Sequence, residues 1–431
     1  MRKKIILALI IVVILLGGGF AYAYFGTDAF KSNKDIFFSY LTENKDKQSV
    51  EIADKLEKYL EKKENTGYTN KGKMSLNIKG ADNESLDMLN NSKVTFEGKI
   101  NSIQDSREQE ITFDFSQGYN IPIVYKQDGD KYGIKSELLG DKIVAIRNDG
   151  LKELAGRFNI DSTYIPDKIC IEDYQFTEEE QRILKDRYFS YIEDSLTEDM
   201  FTKSKIGKQK VITAKVSEDT AAAILTEMSK EFRDDEIILS KMPEGFNKEE
   251  FQQKMDDFIS GIGDSVKENN IMEFSVYIQD KKLSKFEIYY YNDEEVYGKL
   301  EAEIKDNVME TKIYGRKQKL IADITTKYEV TGNDVSIEIK VKAMNSDQEL
   351  NFAITSEYKN LLTLDNVEEE MTAKIGVDDQ EINLNYSNAV TFDPNVQIEE
   401  IDENKTIIVN DSTDEELQEL VLNVYKKLGL M

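Results

Sequence analysis

The chain has 431 residues, 83 acidic against 56 basic, and a formal net charge of −27. A surface this acidic favours solubility and repels polyanions, which excludes nucleic acid as a partner. Histidine and tryptophan are absent and cysteine occurs once. That composition excludes Ser-His-Asp and Cys-His machinery, histidine proton shuttles, histidine or multi-thiolate zinc sites and an intrachain disulfide.

The chain opens basic and turns apolar. Arg2, Lys3 and Lys4 precede residues 5–25, which carry no charged side chain. About 20 apolar residues cross the hydrocarbon core as a helix, and positively charged flanks stay cytoplasmic. The expectation is a cytoplasmic tail over 1–4, a transmembrane helix acting as signal anchor over 5–25, and the bulk of the chain extracytoplasmic at the cell membrane. The alternative is a secreted chain cleaved near Ala23. The strongest apolar stretch ends at Leu16, and Gly17-Gly18-Gly19 followed by Ala21-Tyr22-Ala23 has the look of a cleavage site. Phe20, Tyr22, Tyr24 and Phe25 favour the anchor, because aromatic rings collect at the membrane interface.

About 400 residues follow, enough for two domains. A helix is expected over 34–63, where Ile52, Leu56, Tyr59 and Leu60 share a face. Strands are expected near 73–78, 93–103, 109–115 and 121–127, with Asp128-Gly129 as a hairpin turn. Thr177-Glu178-Glu179-Glu180 reads as a capping box before a helix carrying Leu184, Tyr188, Tyr191 and Ile192. A strand over 210–216 leads into a helix from about Glu218, with Ala221, Ile224, Leu225, Met228 and Phe232 on one side. Residues 216–242 thus read as strand, helix, strand.

The second half opens near Pro243. A helix starts at Asn247, and Phe251, Met255, Phe258, Ile259, Ile262 and Val266 form a long apolar stripe. After Asn270 the period becomes two. Met272, Phe274, Val276 and Ile278 alternate with polar neighbours, as do Leu300, Ala302 and Ile304, then Val335 to Ala343, Met371 to Ile375 and Ile382 to Tyr386. Turn residues separate them at Asn292-Asp293, Asp306-Asn307, Gly332-Asn333, 345–347 and Asp378-Asp379. This is the pattern of an antiparallel meander with one buried and one wet face. A second capping box at Thr413 to Glu416 starts a last helix, with Leu417, Leu420, Val421, Val424 and Leu428 as its apolar face. The expected fold class is α+β: curved antiparallel sheets with packed amphipathic helices. One domain would cover 26–242; a meander domain with a C-terminal helix would cover 243–431.

No phosphate loop, dinucleotide fingerprint or calcium loop is present, and no Ser-x-x-Lys motif stands out to support a serine–lysine mechanism. No catalytic, cofactor-binding or metal residue is singled out, and no cofactor is expected. Cys170, between Ile169 and Ile171, reads as a small buried hydrophobe. The acidic stretch over 399–403 reads as a solvated linker, with a calcium contact as the alternative. Tyr289-Tyr290-Tyr291 reads as a strand end with rings on both faces; the alternative is the rim of a ligand cavity.

The basic start, the apolar segment and the following Tyr24-Phe25-Gly26-Thr27-Asp28-Ala29-Phe30-Lys31-Ser32-Asn33-Lys34 resemble a set of uncharacterised single-pass, membrane-anchored extracytoplasmic proteins of Gram-positive bacteria. That resemblance implies no site residues. At fold level, helices beside curved sheets also resemble bacterial lipoprotein carriers that hold acyl chains in a half-barrel. The functional expectation is a non-enzymatic binding or scaffolding domain at the cell envelope, with a protein, cell-wall or lipid partner. The alternatives are a carrier or sensor of an apolar ligand such as a lipid, and a hydrolase using two carboxylates. Immunoblots of membrane and medium fractions are expected to find the full-length chain with the membrane. A shortened chain in the medium would show cleavage instead.

Overall fold

The structure, a computed structural model, describes residues 32–42, 47–80, 89–116, 118, 120–140, 142–158, 160–161, 165, 167–169, 175–242, 246–263, 270–292, 295–344, 348–377 and 380–427. The expected tail and anchor over 1–25, Cys170, and the turns at 345–347 and 378–379 lie outside the described residues. Among the described residues no helix is long and apolar enough to cross a membrane.

The single helix expected over 34–63 is two helices, α1 (Asn33–Thr42) and α2 (Lys47–Glu64). Residues 43–46 between them lie outside the described residues, and the sequence has no apolar residue between Leu41 and Val50. Ile36, Phe37 and Phe38 of α1 enter one apolar cluster, and Ile52 and Tyr59 of α2 enter another. Strands β1 (Gly67–Lys79), β2 (Lys93–Asn101), β3 (Ser106–Asp114), β4 (Asn120–Asp128), β5 (Lys131–Lys135) and β6 (Ile143–Arg147) follow. Gly129 turns the β4–β5 hairpin with φ +56°, a left-handed conformation open to glycine.

Next come α3 (Leu151–Arg157), α4 (Glu178–Ser195), β7 (Phe201–Ile206), β8 (Gln209–Ser217) and α5 (Glu218–Asp234). The capping box at Thr177 forms as expected, each residue bonding the other's backbone N–H. Where a strand was expected after α5, the chain forms a short helix, α6 (Glu236–Ser240). The cause is Asp235, whose side chain accepts from the backbone N–H groups of Ile237 and Ile238 and starts a new helix. Then follow α7 (Lys248–Gly263), β9 (Ile271–Gln279), β10 (Lys282–Asn292), β11 (Glu295–Lys305), β12 (Val308–Tyr314) and β13 (Leu320–Thr331). The chain ends with β14 (Asp334–Met344), β15 (Glu349–Lys359), β16 (Val367–Val377), β17 (Gln380–Phe392), β18 (Thr406–Ile408) and α8 (Asp414–Lys427). The alternating segments read from the sequence are all strands, and the fold is α+β with extensive antiparallel sheet.

The chain divides into two compact units that interleave in sequence. The first takes Met1–Asp46 and Cys170–Thr325; the second takes Lys47–Ile169 and Thr326–Met431. Position 242/243, where composition and pattern suggest a single cut, falls inside the first unit. It lies in the helical connection between β8 and β9, which pair side by side. Periodicity reports local structure, and strand pairing across that connection is invisible to it.

In the first unit the strands pair antiparallel in the order β7-β8-β9-β10-β11-β12. One face carries Ile212, Ala214, Phe274, Val276, Phe286 and Leu300, all buried against α1, α4 and α5. Each large side chain buried there contributes about 1.5–3 kcal/mol. Phe37 and Phe38 seat α1 on this core, their rings meeting Phe201 edge-on at 5.3 and 6.1 Å. Glu198 holds the start of α1, accepting from the backbone N–H groups of Asn33 and Lys34.

In the second unit the order is β14-β15-β16-β17-β1-β2-β3-β4-β5-β6-β18, antiparallel except for β6 with β18. Directly opposed residues put Val341, Phe352, Ile375, Ile382 and Ile78 in one row on the apolar face. Helix α2 covers only the end of that face at Val335, Val367 and Val390; Ile375 and Ile382 keep 40% and 41% of their surface exposed. The meander was expected to have one buried and one wet face, and the covering of the apolar face is partial here. Gly72 sits beneath the ring of Phe96 and beside the carbonyl of Ser387, where a Cβ would overlap both. The acidic stretch over 399–403 is more than a solvated linker: Ile401 is buried and Glu403 pairs with Lys131 at 2.5 Å.

Glu369 is the polar anchor of α2. Tyr59 Oη donates to it at 2.7 Å, Tyr386 Oη at 3.1 Å and Asn388 Nδ2 at 3.0 Å, and Lys63 Nζ lies at 3.5 Å. Burial pushes its carboxyl up, but the bonds from Asn388, Tyr59 and Tyr386 and the Lys63 charge outweigh this, and the net shift is below its ordinary 4.5. A depressed carboxylate stabilises fully above its unfolded value and loses that contribution as pH falls through its folded value. Glu369→Gln is expected to cost about 1.5–3 kcal/mol at neutral pH. The gap between variant and native chain should shrink below about pH 4.5, and urea midpoints across pH would measure it. A gap that widens on acidification would contradict the assignment.

Candidate functional site

The helical layer of the first unit carries the site. Helix α4 starts at the Thr177 capping box, α5 at Ser217, whose hydroxyl accepts from Thr220 N at 3.1 Å, and α7 at Asn247, which accepts from Glu250 N at 3.0 Å. These caps place three helix starts independently of any packing. Helix α7 is tied to α5 by Arg233, which reaches Asp256 at 2.5 Å, by Gln252 bonded to Asp234 at 2.8 Å, and by Ile262 packed with Ala222 and Leu225.

Asp235 joins α4 to the α5–α6 corner. Its side chain is fully buried, and its Oδ2 accepts from Arg187 Nη1 at 2.5 Å and from Tyr188 Oη at 2.9 Å. The Tyr188 hydroxyl is pushed well above its ordinary value, first by burial and then by the bond to Asp235 and its charge. It therefore stays protonated and acts as a donor.

Between these helices lies an apolar cleft of about 820 Å³. Leu184 and Tyr188 of α4, Leu225, Met228, Ser229 and Phe232 of α5, Ile238 of α6 and Met255 and Phe258 of α7 line it, with Phe176, Lys241 and Met242 from adjoining segments. A second, far smaller cavity of about 40 Å³ lies between the sheet and its helices, and shares Leu225 and Met228 with the cleft. It is close to the volume of one water molecule, about 30 Å³. The larger of the two volumes is the cleft lined by α4, α5, α6 and α7.

The α7 stripe shows how this arises. Val266 of the expected stripe lies outside the described residues; among the described ones Ile262 alone is buried, at 4% exposure, and Phe258 keeps 41%. Met255 and Phe258 line the cleft. A helix whose apolar stripe exceeds what the core needs is the sequence signal of such a site. No site residue was assigned from the sequence, because an apolar stripe reads first as core.

The tyrosine triplet is resolved as framework. Tyr290 faces the core and packs edge-on with Tyr297 at 5.9 Å. Tyr289 and Tyr291 stack at 6.0 Å on the opposite face. On that face Glu287 accepts from Tyr277, with Lys285 and Lys299 each at 3.1 Å. Burial pushes Glu287 up, and the bonds from Tyr277 and both lysines pull its net value down. None of the three tyrosines lines either cavity. Among the described residues no group of three or more acidic side chains is placed to hold a metal ion.

No family model matches the chain, and no curated protein matches it. Solved structures similar to it include the outer membrane protein Omp33 of Acinetobacter baumannii, at 5% identity over 75% of this chain and 99% of that one, with a TM-score of 0.16. Transferrin binding protein B of Haemophilus parasuis is similar at 7% identity over 75% of each chain, with a TM-score of 0.13. OccAB4 of Acinetobacter baumannii is similar at 6% identity over 76% of this chain and 98% of that one, with a TM-score of 0.18. At such scores the likeness carries no argument about fold or function.

Asp235→Ala is expected to cost about 2–4 kcal/mol, since it uncaps α6 and takes the acceptor from the half-buried Tyr188 hydroxyl, while Arg187, 33% exposed, can still reach water. Urea unfolding would measure the loss, and a change below 1 kcal/mol would deny Asp235 its role in holding the cleft.

Proposed function

We propose that the chain is a non-enzymatic binding protein for an apolar ligand, held in the helical cleft of the first unit. The observation that carries this reading is the cleft itself: about 820 Å³, lined almost wholly by aliphatic, aromatic and methionine side chains. Ligand pockets occupy about 300–1,000 Å³ and combine apolar walls with a few polar groups. Met228, Met242 and Met255 suit a site that accepts flexible chains, because the unbranched thioether side chain repacks readily. The absence of histidine and the single cysteine favour binding over catalysis.

The location follows from the sequence. Residues 5–25 after Arg2, Lys3 and Lys4 favour a chain tethered by one apolar segment, with its folded part extracytoplasmic. A binding protein so placed would carry or sense a lipid-like molecule at the envelope. No nucleic acid or cofactor belongs to this reading.

Native mass spectrometry of the full chain, released from membrane in mild detergent, is expected to show a bound amphiphile of lipid-like mass. Phe258→Asp places a charge in the cleft at a position 41% exposed, so the effect on stability should be small, within about 0.5 kcal/mol. Retention of the amphiphile should fall at least about tenfold, since a charge resists transfer to an apolar site. Equal retention by this variant would remove the cleft from consideration.

A further inference from the structure

The described lining of the cleft carries one charged side chain. Among the described residues that line it, Lys241 alone is charged. The other polar groups on the wall are the Ser229 and Tyr188 hydroxyls, and that of Tyr188 is taken by Asp235 at 2.9 Å. The Lys241 side chain is only 16% exposed, and its ammonium pairs with Glu180 Oε2 at 3.2 Å. That same oxygen accepts from Thr177 N at 2.8 Å in the capping box. Glu180 thus keeps a bonding partner without Lys241, whereas the ammonium, with three donors, relies on this contact.

Resting on the apolar-ligand reading above, we propose that the ligand is a single-chain fatty carboxylate whose head group binds Lys241 while its tail lies along Leu184, Phe232, Met255 and Phe258. The head group displaces Glu180 from the ammonium, and the capping box retains the displaced carboxylate. A carboxylate fits better than a phosphate ester. Phosphate carries about −1.5 to −2 charge and is best held by several donors or a guanidinium fork. Arg187, the neighbouring guanidinium on α4, is committed to Asp235 at 2.5 Å. The net charge of −27 adds a general repulsion that grows with ligand charge.

The test compares hexadecanoic acid, hexadecanol and hexadecyl phosphate on the full chain in mild detergent by isothermal titration at about pH 8, where the carboxylate is ionised. The acid is expected to bind about tenfold more tightly than the alcohol, with the phosphate weaker than the acid. Lys241→Gln should erase the preference for acid over alcohol and leave alcohol binding unchanged. Glu180→Gln keeps the capping box, which glutamine also completes, and should tighten acid binding about threefold by removing the competing anion. Equal binding of acid and alcohol, or an acid preference that survives Lys241→Gln, overturns the head-group assignment while leaving the cleft as an apolar site. Tighter binding of the phosphate overturns the choice of carboxylate. Failure of all three amphiphiles to bind overturns the apolar-ligand reading itself.

Discussion

The fully buried carboxylate of Asp235 takes bonds from four donors: Arg187, Tyr188 and the backbone N–H groups of Ile237 and Ile238. One side chain therefore ends α5, starts α6 and fixes α4 beside them. An ionised group without water is expensive unless every lone pair is used, and here the surrounding donors meet that demand. Because they come from two helices and a corner, the angle between those helices has little freedom. The cleft is the volume left on the outer side of that fixed corner, between α4, α5, α6 and α7. Its lower wall, Leu225 and Met228, is also the roof of the sheet-side core.

The second unit repeats the device with different partners. Glu369, on the apolar face of β16, gathers Tyr59 and Lys63 from α2 and Tyr386 and Asn388 from β17. In both units a buried acid seats a helix by collecting tyrosine and cationic donors. A chain without histidine or tryptophan relies on tyrosine for buried hydroxyl donors, which gives a structural use to residues that also suit ligand sites. The same logic applies to Glu287, where Tyr277 and two lysines satisfy a buried carboxylate on the face of the sheet away from the core.

Much of the local structure is legible in the chain. The capping boxes at Thr177 and Thr413, the hairpin at Asp128-Gly129 and the alternation from Met272 to Ile278 all form as their residue patterns dictate. The misses have identifiable physical causes. The stretch at Ile237, Ile238 and Leu239 is apolar and short, so pattern alone favours a strand, yet a single N-capping carboxylate decides for helix. The 34–63 segment has helical composition throughout, yet its halves bury their apolar residues in different clusters. In the first case a cap two residues upstream outweighs the apolar pattern; in the second, contacts distant in sequence divide the segment.

The sequence by itself determined the strand alternation and the helix starts, because each depends on neighbours within a few residues, and composition set the sign of the overall charge and the lack of histidine. Strand pairing, the interleaving of the two units and the cleft belong to the tertiary structure. Met255, Phe258 and Phe232 look like core residues in the chain, and their stripes are indistinguishable from stripes that pack on a sheet. Whether such a stripe is buried depends on how many layers the unit has room for. In the first unit the sheet face is already filled by α1, α4 and α5, so the apolar side of α7 is left lining an open volume beside Lys241.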